Sequence, residues 1–161
     1  MLRAPLALLS AALIALTLVT ACGEPRAPAS TAIRDDDRRA IAALLDDQRQ
    51  AWNAGDLDAF MAAYVPTEEL VFTSGGAIRR GWETTRARYR QRYGDDPSTM
   101  GELAFEVLEI QSLGADGAIV LGRWSLEKTP EAGAGVFSLA LRRTPAGWRI
   151  VHDHTSLATP E

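Results

Sequence analysis

From Gly101 onward the chain contains no stretch with helical spacing. It holds four segments rich in strand formers, Gly101 to Leu113, Gly117 to Lys128, Gly135 to Arg143 and Gly147 to Ser156. Their separators, Gly114–Gly117, Thr129–Ala134 and Thr144–Gly147, are all of hairpin type, so the four are expected to form an antiparallel meander. In the first segment the alternation of apolar and polar residues breaks at Leu108, which predicts a bulge that bends the sheet. In the last, regular alternation puts Trp148, Ile150, His152 and His154 on one face. Arg149, Val151, Asp153 and Thr155 fall on the other.

The first half reads differently. Ile41, Leu44, Leu45, Gln48 and Trp52 follow helical spacing over about Asp35 to Ala54. Asp35 and Asp36 suit the positive end of the helix dipole, and Gly55 suits its stop. Asp56 can cap a short helix, Leu57 to Tyr64, ended by Pro66. Glu69 to Ser74 and Ala77 to Arg80 are strands joined by a turn at Gly75-Gly76. Gly81-Trp82 opens a third helix to about Tyr93, which carries Trp82, Tyr89 and Tyr93 on one face and four arginines on the others.

Ahead of this domain, Met1-Leu2-Arg3 precedes an apolar run from Ala4 to Ala21, the pattern of an export signal. Val19-Thr20-Ala21-Cys22-Gly23 resembles a bacterial lipobox, with Cys22 the residue to be lipidated. Cys22 is the single cysteine, so no disulfide can form within the chain. The expected organisation is a signal peptide over 1–21, a flexible tether over 22–32, one domain over 33–157 and a tail over 158–161. The expected location is the cell envelope, lipid-anchored and facing the periplasm or exterior, at the outer membrane if the cell is Gram-negative. The net charge is −4, which gives no reason to expect a nucleic-acid partner.

Helix, short helix, hairpin, helix and a long bent meander is the order of the nuclear transport factor 2-like fold. Ala51 to Asp58, Phe72 to Gly76, Arg80-Gly81-Trp82, Gly122-Arg123-Trp124 and Gly147 to Ser156 resemble its SnoaL-like members. The His-x-His-x-Ser ending is similar to the association domain of the calmodulin-dependent kinase. The resemblance implies an α+β cone, with N-terminal helices packed on a strongly bent antiparallel sheet around a cavity, and a homodimer. It assigns no catalytic residue, because the carboxylate base and hydroxyl donors of ketosteroid isomerase-like members find no matching motif here.

The residues themselves put the chemistry on the histidine face. His154 and His152 are the candidate proton carriers, since imidazole titrates near ~6.5. Tyr64, Phe72, Trp82, Tyr89 and Trp124 are the candidate ligand-binding walls. His-x-His offers two metal ligands on one strand and the chain has no third histidine, so no metal is expected, and no cofactor. The leading expectation is a tethered domain that binds a small, partly apolar molecule. The alternatives are a cofactor-independent acid/base enzyme of isomerase, cyclase or lyase type, and a dimerisation module.

Overall fold

The computed structural model describes residues 33–94 and 97–158. The expected signal peptide, tether and lipidated Cys22 lie outside the described residues. Helix α1, Asp35–Asn53, buries Ile41, Leu45, Gln48 and Trp52, one side of a 3.6-residue repeat. The carboxylate of Asp56 accepts from the Ala59 N–H at 2.9 Å and starts α2, Leu57–Met61.

Helix α2 ends three residues sooner than its sequence suggests. The backbone after it is taken by the sheet: Ile150 N–H donates to Ala63 O and Val65 N–H donates to Ile150 O, both at 2.9 Å. Strands β1, Val71–Ser74, and β2, Ala77–Arg80, form the expected hairpin, and Gly75 and Gly76 at its tip both have positive φ. Helix α3 spans Trp82–Tyr93. A four-residue helix, α4, Pro97–Met100, leads into the strands that follow.

The meander comprises β3, Glu102–Ser112, β4, Gly117–Glu127, β5, Gly133–Thr144, and β6, Gly147–Leu157. The six strands make one sheet in the order β2-β1-β6-β5-β4-β3, with β1 parallel to β6 and every other pair antiparallel. The bulge in β3 falls at Leu108, as the broken alternation predicts. The architecture is thus α+β, with helices on one face of a curled sheet.

A second bulge is the consequential one. In β6, Ile150 pairs with Leu141 while His152 pairs with the adjacent Ala140, which leaves Val151 as the extra residue. Here β6 changes its second neighbour. Ile150 bonds to the Ala63–Val65 segment, and from His152 onward the neighbour is β1. One added residue turns the rest of the strand over.

Helix α1 is tied to the sheet by more than packing. The Asn53 side chain donates to Leu103 O at 3.0 Å and accepts from Leu103 N–H at 2.7 Å, as a neighbouring strand would. The Trp52 indole N–H donates to Met100 O at 3.2 Å. At the helix's other end Asp37 is buried and receives hydrogen bonds from Arg34, Arg143 and the Trp148 indole. These donors, Arg34 first and then Arg143, hold its carboxyl down at about 2. The cluster therefore stabilises the fold above the ordinary carboxylate pKa of 3.8, and that contribution is lost as pH falls through about 2.

Candidate functional site

The curl of the sheet leaves a cavity of about 320 Å3 between its inner face and the helices. Its walls are mainly aromatic. Trp52, Phe60, Tyr89 and Tyr93 come from the helices, and Phe105 and Phe137 from the sheet. The rings are held edge to face: Trp52 and Phe60 have centroids 4.9 Å apart, Phe60 and Tyr89 5.2 Å, and Phe105 and Phe137 5.5 Å. Gly122 keeps room for the Phe137 ring, which would collide with any Cβ there.

Asp153 faces into this cavity and is 4% exposed. The bulge at Val151 places it there. Beyond the bulge the inward residues of β6 are Asp153 and Thr155, which line the cavity together with Leu157. The Tyr64 hydroxyl donates to Asp153 Oδ2 at 2.8 Å, and the Thr155 hydroxyl donates to Oδ1 at 2.7 Å. Burial pushes the carboxyl up to about 6, against the lowering effects of Thr155, Tyr64 and His154. The phenols of Tyr64 and Tyr89 are both pushed well up, first by burial and then by the charge of Asp153, so they remain protonated donors.

A buried carboxylate held by a tyrosine hydroxyl, at the inner end of an open aromatic cone, calls for comparison with known proteins. The family model of the SnoaL-like domain matches residues 41–160. The chain belongs to the SnoaL-like domain family. A structure of an NTF-2 like protein of unknown function from Shewanella oneidensis is 40% identical, with a TM-score of 0.70 over 74% of this chain and 98% of the other. Two more distant structures share the fold. One is a ketosteroid isomerase-like protein from Erwinia carotovora, 20% identical, with a TM-score of 0.60 over 79% of this chain and 100% of the other. The other is a putative calcium/calmodulin-dependent protein kinase type II association domain from Thiobacillus denitrificans, 23% identical, with a TM-score of 0.59 over 73% of this chain and 94% of the other. No curated protein matches at significance.

Several residues picked from the sequence meet in the cavity of this SnoaL-like domain. Tyr64, Phe72, Tyr89 and Trp124 all line it. Trp82 does not: its indole N–H donates to Met61 O at 2.9 Å, and Arg86 lies over its ring at 5.6 Å. The histidines are also misplaced by regular alternation. His152 pairs with Ala140 and Val71, His154 with Ser138 and Thr73, and neither lines the cavity. They lie on the outer face, in rows continued by Ile119 and Leu121. His154 is exposed and His152 half-buried.

The expected face assignment is therefore corrected at Val151. Trp148 and Ile150 point inward as read, and the two imidazoles do not follow them. The residue that does is Asp153, which regular alternation places on the face opposite the histidines. Asp153 and Tyr64 form the convergent polar pair for which the sequence offered no motif. Two members of the arginine-rich stretch, Arg79 and Arg88, line the same cavity.

Chemically the pair has a narrow range. Asp153 can accept a hydrogen bond or a proton from a bound molecule, and near neutral pH it exchanges that proton readily. Tyr64 can donate to an oxygen and does not ionise. The rings supply area but no further charge.

Proposed function

We propose that this SnoaL-like domain holds one small, partly apolar molecule in its cone, with Asp153 as the polar anchor. The observation that carries the reading is the Asp153–Tyr64 hydrogen bond at the buried end of an aromatic-walled cavity that opens to solvent. A buried carboxylate in apolar surroundings costs folding energy, and a ligand with an N–H or O–H donor gives it a use.

The test is a neutral fluorescent probe with a ring body and one N–H donor, N-phenyl-1-naphthylamine. Added to the full chain carrying Cys22→Ser, it is expected to bind one to one, with a dissociation constant on the order of 10 μM for a probe of this size. Ser74 lines the cavity at the end of β1, so Ser74→Trp plugs the space and should abolish the signal. Undiminished fluorescence in that variant would place the probe elsewhere and sink the reading.

A second reading is favoured by one specific fact, the carboxyl held up at about 6. It makes Asp153 a general base or acid near neutral pH, held in place by the Tyr64 hydroxyl. Turnover on this reading follows a pH profile with an apparent pKa near 6 and vanishes in Asp153→Asn. The role assigned to His154 and His152 passes to Asp153.

We also propose that the domain is tethered at the cell envelope by lipid on Cys22, on the strength of the lipobox-like Val19-Thr20-Ala21-Cys22. Cys22→Ser is expected to move the protein from the membrane fraction to the soluble fraction. Unchanged membrane retention would exclude the lipid as the anchor.

A further inference from the structure

The mouth of the cavity is basic in a chain whose net charge is −4. Arg79 on β2 and Arg88 and Arg92 on α3 all line it. Arg79 is the register partner of Phe72, a cavity residue, so both lie on the inner face of the hairpin. Arg88 and Arg92 are one turn apart on α3, beside Tyr89 and Tyr93.

Several basic side chains elsewhere meet carboxylates: Arg86 with Asp58, Arg123 with Glu106, Arg142 with Glu69. Arg92 does the same, bonded to Glu131 at 2.7 Å. Arg79 and Arg88 do not. Among the described residues no carboxylate lies within salt-bridge distance of either, and Arg88 donates only to the amide oxygen of Gln91 at 3.0 Å. Nor do they serve Asp153. The groups that act on its carboxyl are Thr155, Tyr64 and His154, and no arginine is among them. The cavity thus has separated poles, a cationic rim and a carboxylate floor, with aromatic wall between.

From this separation we infer that the ligand is an amphipathic organic anion, whose oxyanion head sits at the rim on Arg79 and Arg88 and whose ring body fills the cone. The inference rests on the small-molecule reading above and deepens it. A guanidinium presents paired N–H donors in a plane that matches a carboxylate or sulfonate. The ligand can enter in only one direction. Head-down, its charge would meet Asp153 in a site with little water, which is strongly unfavourable. Head-up, the charge stays partly hydrated between two guanidiniums, and the far end brings a hydrogen-bond donor to Asp153. The molecule so described is a ring system with an acid group at one end and an N–H or O–H at the other.

Two probes separate this inference from the reading beneath it. 1-Anilinonaphthalene-5-sulfonate has the same rings and N–H as N-phenyl-1-naphthylamine and adds one sulfonate on the far side of the ring system from the N–H. With the full chain carrying Cys22→Ser at low salt, the sulfonate probe is expected to bind at least ~10-fold more tightly than the neutral one. Raising the salt to about 0.5 M should erase most of that preference, because the rim is open to screening. Arg79→Ala and Arg88→Ala should each weaken the sulfonate probe ~3- to 10-fold and leave the neutral probe within about 2-fold. Melting temperatures check that both variants are folded, and the conservative Arg88→Lys should recover part of the affinity. If both probes bind with equal affinity, or if the arginine variants shift both alike, the anion inference is wrong and the cavity reading stands. If neither probe binds, both fall.

Discussion

Asp153→Asn should make this domain more stable at pH 7.5, by up to about 3 kcal/mol, while impairing the site. Replacing a buried, doubly hydrogen-bonded residue ordinarily destabilises. Here the sign reverses because the residue is held against its preference. In the unfolded chain its carboxyl ionises near 3.8, and in the folded chain near 6. Below 3.8 both states are protonated and the folded state bears no penalty. Between the two values the unfolded chain ionises while the folded one resists, so stability falls as pH rises. Above about 6 both are ionised and the full cost of the buried charge, about 3 kcal/mol for that separation, remains. Asparagine has the same shape and carries no charge. Its oxygen can accept from Tyr64 and its amide can donate to Thr155, so neither neighbour is stranded.

Urea denaturation across pH 4 to 8 reads this out. The native chain should lose stability between pH 4 and 6.5, and Asp153→Asn should be flatter over that window and more stable above it. Greater stability with less binding is what a functional group held at structural cost produces. A variant that is less stable than the parent at pH 7.5 would show that the carboxylate is structural, and the proposed anchor would lose its main support.

The elements themselves were legible in the sequence. The helical repeat of Ile41, Leu45, Gln48 and Trp52, the Gly75-Gly76 hairpin and the broken alternation at Leu108 each carry a local signal strong enough to survive tertiary packing. Four of the candidate wall residues, Tyr64, Phe72, Tyr89 and Trp124, do line the cavity, as suits side chains such as Tyr and Trp whose polar tip needs a partner. Trp52, Phe60, Tyr93, Phe105 and Phe137 line it too and were not among the candidates. The inner end of the cavity was not legible. Leu108 announces its bulge by an apolar residue out of phase. Val151 lies between Ile150 and His152, and either parity reads as a respectable strand. What decides the matter is non-local: β6 passes from the Ala63–Val65 segment to β1 at this point. No spacing within Gly147 to Ser156 records that exchange. The early end of α2 escapes for the same reason, since the distant backbone of Ile150 bonds to Ala63 and Val65.

Deleting Val151 tests that account directly and carries the largest expected loss of stability. With the extra residue gone, β6 can satisfy only one half of its present pairing. If the half facing β1 keeps its register, Trp148 and Ile150 turn outward. They are now 4% and 0% exposed, and losing that burial costs roughly 1.5–3 kcal/mol each. The hydrogen bonds of Ile150 with Ala63 and Val65, and that of Trp148 with Asp37, go with them. If the other half keeps its register, Asp153 and Thr155 leave the cavity and the imidazoles enter it. Tyr64 then loses its acceptor and remains buried, which adds about 1–3 kcal/mol. The first register costs about 4 kcal/mol or more, a large share of what a domain this size has to lose, whereas in the second the exposure of Asp153 offsets the Tyr64 cost and the loss appears in the site instead. Val151→Ala keeps the backbone count and removes only part of a half-buried side chain, so it should cost about 1 kcal/mol. The measurement is the difference between the two variants in urea. A deletion variant as stable as Val151→Ala that still binds the neutral probe would mean that the residue count at this position does not set the strand's faces, and Asp153 would have no structural reason to point into the cone.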